Sequence, residues 1–467
     1  MAEHAAVTGV GEIEGAQLPA TDDRVRRSPS RHSASTGFLR NSYALVLSTG
    51  ISGALGLVYW VLAARYYSDS DVGRGSAALS ALMLLTGVVS ANFAGTLNRF
   101  IPKTGHRTVI VVAFVYLVTS AAVAVLAVVL LFVLHVWGGP AYDILREPAN
   151  RLWFVAAAAA ASVITIQDSV LTGLRQAVWV PVWNVTFAIA KIVLLVVLAH
   201  AMPRTGVFYS WIIPMIIVMI PVNMLIFGKL LPRHVRTSVH DTDLTSVQIA
   251  RFFAGDYLGA LFLYGAMFLV PILVAVHVAP HTYAYFFIAW SVATMMNLVA
   301  VNIATPMAVE GVRHPENLAR FCRSALNRAV GLLLVGAVVV CLAAPYAMGL
   351  LGAGYLDAVV LLQLLAFASL PSAVVDVYLG TLRARTRSRR IIAVQSLRAC
   401  MVLGLVIAFQ QCPQLFAGFG NPALTAVGVA VLLGQCVAMS AVLVDLGRLL
   451  GWRWRVDAPA EASEASR

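Results

Sequence analysis

Three charged residues stand where an apolar helix should carry none. Asp168 lies in Ser162-Val-Ile-Thr-Ile-Gln-Asp-Ser-Val-Leu-Thr-Gly-Leu-Arg175, and Lys191 in Val185-Thr-Phe-Ala-Ile-Ala-Lys-Ile-Val-Leu-Leu-Val-Val-Leu198. Arg398 follows Gln395 by three residues in a third apolar run. A charge at the centre of a spanning helix costs roughly 2.5–3.5 kcal/mol on insertion scales, which disfavours an unpaired, lipid-facing position. Lysine and arginine can neutralise an anionic headgroup. A buried carboxylate such as Asp168 can exchange a proton or hold a cation, which makes it the coupling candidate, with H+ and Na+ both open. Amides at Asn184, Asn297 and Gln395 can bond hydroxyls, and Trp290 offers an aromatic face. The competing role for each is an interhelical clip satisfied by a neighbour. Asp168 divides evenly between the two roles. Arg251, Asp256 and Asp376 lie close enough to water for the ordinary one.

Helical spacing sorts these residues onto faces. Thr165, Asp168, Thr172 and Arg175 recur at three- and four-residue steps and form one polar stripe. Pro181, Asn184, Ala188 and Lys191 form a small-and-polar stripe on the next helix. At 1.5 Å per residue, Asp168 lies about 9 Å and Lys191 about 18 Å from the same ends of their helices. The difference is at the limit of a lysine's reach, so a direct ion pair and two separate partners both remain open.

These elements belong to a membrane protein. The chain is 60 % hydrophobic and only 12 % charged, against about 25 % charged for a soluble domain. A net charge of +12 could suggest nucleic acid. The arginines, however, fall in alternate loops between apolar runs, which is a topological signal. Residues 1–40 are polar and read as a disordered cytosolic tail, in which Arg-Arg-Ser-Pro-Ser-Arg at 26–31 reads as inert chain, with a regulatory site as the alternative.

Twelve spans are expected near 42–64, 73–96, 108–136, 151–174, 179–201, 207–230, 252–276, 283–305, 329–351, 357–381, 391–411 and 422–446. One set of loops holds arginine clusters such as Arg313, Arg320, Arg323 and Arg328, then Arg383, Arg385, Arg387, Arg389 and Arg390. The other set holds Arg65, Arg74, Arg146, Arg151 and Arg204. The asymmetry puts both termini in the cytosol. A basic connection after the sixth span divides six spans from six. The expected fold is an all-α polytopic membrane protein of 12 transmembrane helices in two six-helix lobes, related by a pseudo-two-fold along the membrane normal. The lobes cover 41–231 and 252–447, with a cytosolic linker at 232–251 and a cytosolic tail at 448–467.

Catalytic chemistry is not indicated. The histidines, including His135, His200, His277 and His281, mark the outer ends of spans without metal-ligand spacing. No Walker A sequence is present. The five cysteines, Cys322, Cys341, Cys400, Cys412 and Cys436, read as small apolar residues and not as a disulfide framework. Gly50, Gly53 and Gly56 form a ladder suited to close helix packing. Pro214, Pro221 and Pro371 are expected kinks.

Several stretches carry a family resemblance. Phe38-Leu-Arg-Asn-Ser-Tyr-Ala44, Leu55-Gly56, Ala63-Ala-Arg-Tyr-Tyr-Ser-Asp-Ser-Asp-Val-Gly-Arg74, Leu97-Asn-Arg-Phe-Ile-Pro-Lys-Thr-Gly105, Gln167 to Arg175 and Tyr285-Phe-Phe-Ile-Ala-Trp290 resemble bacterial polysaccharide-export flippases. These belong to the superfamily that unites multidrug extruders with oligosaccharidyl-lipid flippases. The resemblance implies two bundles in a V and alternating access. It also implies a polyprenyl-(pyro)phosphate-linked oligosaccharide as substrate, moved to the outer leaflet of a bacterial inner membrane. The first span lacks the acid typical of cation-coupled extruders between Asn41 and Ala64.

The resulting expectation is a transporter, not an enzyme, without cofactor or metal. Lys191 and Arg398 would neutralise pyrophosphate, Asn184, Gln395, Asn297 and Trp290 would contact sugar, and Asp168 would couple an ion. Expected partners are membrane lipids, with glycosyltransferases or a polymerase nearby, and no nucleic acid. The rivals are a cation-coupled drug or metabolite antiporter on the same fold and a non-transporting scaffold for glycosyltransferases.

Overall fold

The computed structural model describes residues 53, 55–100, 108–174, 176, 179–237 and 268–451, with backbone alone at 88–100 and 237. The expected tail at 1–40, the Gly50 rung, the loop at 238–251 with Arg251, the residue Asp256 and the segment 452–467 lie outside the described residues. Every described element is helical. The first half contains α1 (Leu55–Tyr66), α2 (Asp69–Phe100), α3 (Thr108–Trp137), α4 (Pro148–Gly173), α5 (Trp179–Ala201) and α6 (Gly206–Arg236). The second contains α7 (Phe268–His277), α8 (Pro280–Arg313), α9 (Leu318–Leu351), α10 (Val359–Ala384), α11 (Ser388–Gln411) and α12 (Pro422–Leu450). Among the described residues nine helices are long and apolar enough to cross a membrane. α1 and α7 are shorter apolar runs, and α2 opens with Asp69, Asp71 and Arg74. The protein is a multi-pass membrane protein.

Local sequence explains where the helices start and stop. Pro148, Pro280 and Pro422 occupy first-turn positions, where the missing N–H would have had no helical partner. Asn421 caps α12 by accepting from the Leu424 N–H at 3.4 Å. Gly451, at φ 69°, ends that helix in the left-handed region. Several helices outrun their expected spans. α8 has 34 residues, about 51 Å at 1.5 Å per residue, against a hydrocarbon core of about 30 Å. Hydropathy locates the stretch that lies in lipid, whereas helical hydrogen bonds continue into the polar ends. Pro214 and Pro221 both lie inside α6, and a π turn at Ile226–Leu230 follows them.

Packing repeats from one half to the other. α2 packs on α4, α3 on α4, α5 on α6 and α4 on α6. The same relations hold six helices later, for α8 on α10, α9 on α10, α11 on α12 and α10 on α12. The two halves meet through α2 and α8, which are themselves equivalent positions. This is the arrangement of two six-helix lobes about a pseudo-two-fold axis.

The end with the α1–α2 and α7–α8 turns, expected from loop charge to face outside, is called here the outer end. One buried apolar cluster there draws on both halves, from Tyr59, Leu79 and Phe208 to Tyr283, Phe286 and Tyr355. At the inner end the described core is split. Val112, Ile166, Trp183 and Ile226 form a cluster within the first half. Cys322, Leu333, Leu379 and Leu446 form another within the second.

Polar contacts reinforce the outer closure. Tyr285 Oη donates to Asp69 Oδ2 at 2.6 Å, and Arg65 Nη2 to the Leu350 carbonyl at 2.9 Å. Ser80 Oγ and Tyr283 Oη lie 2.7 Å apart. Gly73 sits so close to the Pro280 carbonyl that any Cβ would overlap it. The lobes are therefore joined at the outer end, and among the described residues the buried apolar clusters nearer the inner end stay within one lobe each.

Candidate functional site

The second lobe contains a cavity of about 540 Å³ within the range of ligand pockets. Its wall includes Trp290 and Asn297 from α8, Asp376 from α10, Gln395 and Arg398 from α11, and Gln435 from α12. Four residues singled out in the sequence, Trp290, Asn297, Gln395 and Arg398, thus come together from two helices. Periodicity could place each on a face of its own helix. Only the packing of α8 and α11 around α10 and α12 makes those faces converge.

Arg398 is already paired. Its Nη1 lies 2.9 Å from Asp376 Oδ1, and its Nη2 donates to Ser372 Oγ at 2.7 Å. By helical rise the two charges lie about 15 Å and 12 Å from the inner ends of α11 and α10. Mutual neutralisation makes their burial tolerable. Asp376 therefore does more than the ordinary water-edge role expected of it, and Gln435 was not foreseen at all. A signal for the first existed: Ser372 and Asp376 are four residues apart in an apolar run and share a face. For Gln435 the signal was a lone amide inside Leu432-Leu-Gly-Gln-Cys436.

Lys191 lies elsewhere. It is buried in the first lobe at 6 % exposure and has no carboxylate partner among the described residues. Its Nζ sits 3.7 Å from the centre of the Trp211 ring, 5.0 Å from Tyr59 and 5.4 Å from Phe187. Desolvated cation–π contacts of this kind are worth about 2 kcal/mol. Tyr59 is fixed in turn, with Oη bonded to the Val207 carbonyl at 3.0 Å and lying 2.8 Å from Ser210 Oγ. Trp211 is five residues into α6 from the outer end, about 8 Å. The lysine amine therefore reaches toward the outer end, not into the second-lobe cavity.

Asp168 and Lys191 form no ion pair. Asp168 Oδ1 accepts from Trp183 Nε1 at 2.8 Å, which ties α4 to α5. Asn184 Nδ2 donates to the Val180 carbonyl of its own helix at 3.0 Å. The carboxylate lies about 8 Å from the inner end of α4, on the opposite side of α5's midpoint from the lysine amine. All five cysteines are free. Among the described residues no cluster of three His, Cys, Asp or Glu side chains could hold a metal.

Two six-helix bundles related by a pseudo-two-fold are an architecture found among transporters. Comparison with solved structures agrees. The chain superposes with a TM-score of 0.66 on an inward-facing multidrug resistance MATE family transporter of the MOP superfamily, at 14 % identity over 86 % of this chain and 96 % of that one. An outward-facing transporter of the same description gives 0.56, at 16 % identity over 87 % and 94 %. The lipid II flippase MurJ in an inward closed conformation gives 0.63, at 13 % identity over 87 % and 90 %. At these identities the likeness is one of fold: the chain has the fold of MOP-superfamily transporters. No protein-family model and no curated sequence relative matches it.

Proposed function

We propose that the protein is a flippase. It carries a polyprenyl-(pyro)phosphate-linked oligosaccharide or related cell-envelope glycolipid from the inner to the outer leaflet of a bacterial cytoplasmic membrane by alternating access. Both termini face the cytosol in this reading. The observation that carries it is the second-lobe cavity, where Trp290, Asn297, Gln395 and Arg398 gather beneath a closed outer end. A headgroup would enter from the inner side while its lipid tail stays in the bilayer. Lys191 supplies the cation whose charge no carboxylate among the described residues balances, and Asn184 lies about two helical turns toward the inner end on the same stripe. Asp168 is the coupling group, since its carboxylate bonds an indole N–H and no cation among the described residues. The fold likeness to a flippase at a TM-score of 0.63 supports this reading.

The test is deletion of the gene followed by analysis of polyprenyl-linked intermediates. Their accumulation on the cytosolic side is expected, and complementation by Lys191→Met should fail although that variant reaches the membrane. The fold likeness to multidrug transporters favours a second reading, a cation-coupled drug or metabolite antiporter. Drug sensitivity without lipid-linked intermediates in the deletion strain would select it. Glycosyltransferases or a polymerase are the partners that the flippase reading suggests. A non-transporting scaffold would tolerate loss of both buried cations.

A further inference from the structure

We infer that the deep part of the second-lobe cavity is a subsite for an uncharged saccharide. The inference rests on the flippase reading and specifies what its cavity holds. Three amide atoms of the cavity wall are buried without any hydrogen-bond partner, namely Asn297 Oδ1, Gln395 Nε2 and Gln435 Oε1. Gln395 is 2 % exposed and Gln435 9 %. A buried polar atom left unpaired is costly, and most such atoms in folded proteins have a partner. Of the ten such side-chain atoms among the described residues, these three gather around one cavity, on α8, α11 and α12, and that convergence supports a ligand as their partner.

The chemistry of that ligand follows from the donors and acceptors. An amide presents both, and a hydroxyl both donates and accepts, so three amides from different directions suit a group bearing several hydroxyls. Trp290 adds an aromatic face, held by stacking on Phe286 at 5.5 Å. The charge of Arg398 is matched by Asp376 at 2.9 Å, so an entering phosphate would meet a carboxylate beside the guanidinium. Arg383 also lines the cavity, but one residue from the inner end of α10, at the cavity's inner mouth, so the deep part of the wall is polar without excess positive charge. Lys191, in the other lobe, is covered by three aromatic rings and has no carboxylate partner among the described residues. Gln435 is a specificity-determining residue on this account.

The experiment uses the full-length protein in lipid nanodiscs and two probes, polyprenyl pyrophosphate and the same lipid carrying a short neutral oligosaccharide. Affinity is read by native mass spectrometry and folding by thermal unfolding. The wild type is expected to bind the saccharide-bearing lipid at least about tenfold more tightly. The double variant Gln395→Leu/Gln435→Leu should lose that margin, keep its affinity for the bare lipid and unfold at no lower temperature, because the removed amide groups have unpaired atoms in the empty protein. Equal wild-type affinity for the two lipids overturns the subsite while leaving the flippase reading intact. Binding of neither lipid overturns both. A margin that survives in the double variant, or a parallel loss of both affinities with a lowered unfolding temperature, overturns the assignment to this cavity.

Discussion

Lys191 and Arg398 are the same kind of residue in sequence terms, single cations in the middle of apolar helices at α5 and its repeat partner α11. Their surroundings are opposite. Arg398 has a carboxylate at 2.9 Å and a hydroxyl at 2.7 Å, both from α10, and lines an open cavity. Lys191 has three aromatic rings and, among the described residues, no carboxylate. Two lobes with the same packing plan have thus met the cost of a buried cation by different physics. The arginine fork suits a bidentate, hydrogen-bonded partner. The compact ammonium of lysine can sit over a ring face, where its charge meets a quadrupole and not another charge. The lesson is that a buried cation does not by itself identify an anion site; its existing partner decides what it has left to offer.

The contrast can be broken by removing each partner in turn. Arg398→Met strands Asp376 without its cation, and loss of one member of a buried pair costs about 3–5 kcal/mol. Thermal unfolding in detergent should show that loss, and Asp376→Leu in the same chain should recover most of it. Equal stability of the single and double variants would mean that the pair is effectively in water. Lys191→Met is expected to behave differently. It leaves no stranded charge, so its stability should change by no more than the cation–π contacts are worth, about 2 kcal/mol, while export is abolished. Normal export would remove Lys191 from the transport pathway.

The closed outer end gives the next, smaller test. Gly73→Ala puts a Cβ onto the Pro280 carbonyl, so closure there requires backbone movement. In a chain whose five native cysteines are replaced by serine, a cysteine introduced at Ala293, in the cavity wall, should then become reactive toward an impermeant reagent added from outside. Tyr285→Phe removes one hydrogen bond to a carboxylate, worth about 1.5–3 kcal/mol, and should shift labelling in the same direction more weakly. Unchanged labelling in both would show that this end is not the outer gate. The smallest structural effect belongs to Asp168→Asn, whose amide oxygen still accepts from Trp183 Nε1. Stability should hold within about 1 kcal/mol, whereas transport driven by an ion gradient should fall. A variant with intact gradient dependence would take Asp168 out of coupling.

Much of this architecture was legible from hydropathy and loop charge. The twelve apolar runs coincide with α1 to α12 wherever the structure describes them, because burial in lipid demands a long apolar stretch that composition cannot disguise. The glycine ladder is partly visible: Gly53 and Gly56 face Met295 across the lobes. Helix ends were less legible, as at α8 and α9, since polar turns outside the lipid leave no hydropathy signal. The candidate site was legible as a set of residue types but not as a set of neighbours. Asp376 and Asp168 show why. Both are acids in apolar runs, yet one faces an arginine on the next helix and the other an indole N–H.

The sequence by itself determined which residues are anomalous and how deep along their helices they lie, because a charge in an apolar run is visible wherever it occurs and the rise per residue is fixed. The stripe spacing on α4 and α5 belongs to the same class of local information. Tertiary structure alone decided that Lys191 points at Trp211 and not at Asp168, that Arg398 is neutralised within its own lobe, and that Gln395, Gln435 and Asn297 share one cavity. Those outcomes depend on how helices rotate about their axes and cross one another. Rotation and crossing are set by the packing of dozens of neutral side chains, and no single residue's type or spacing carries that information.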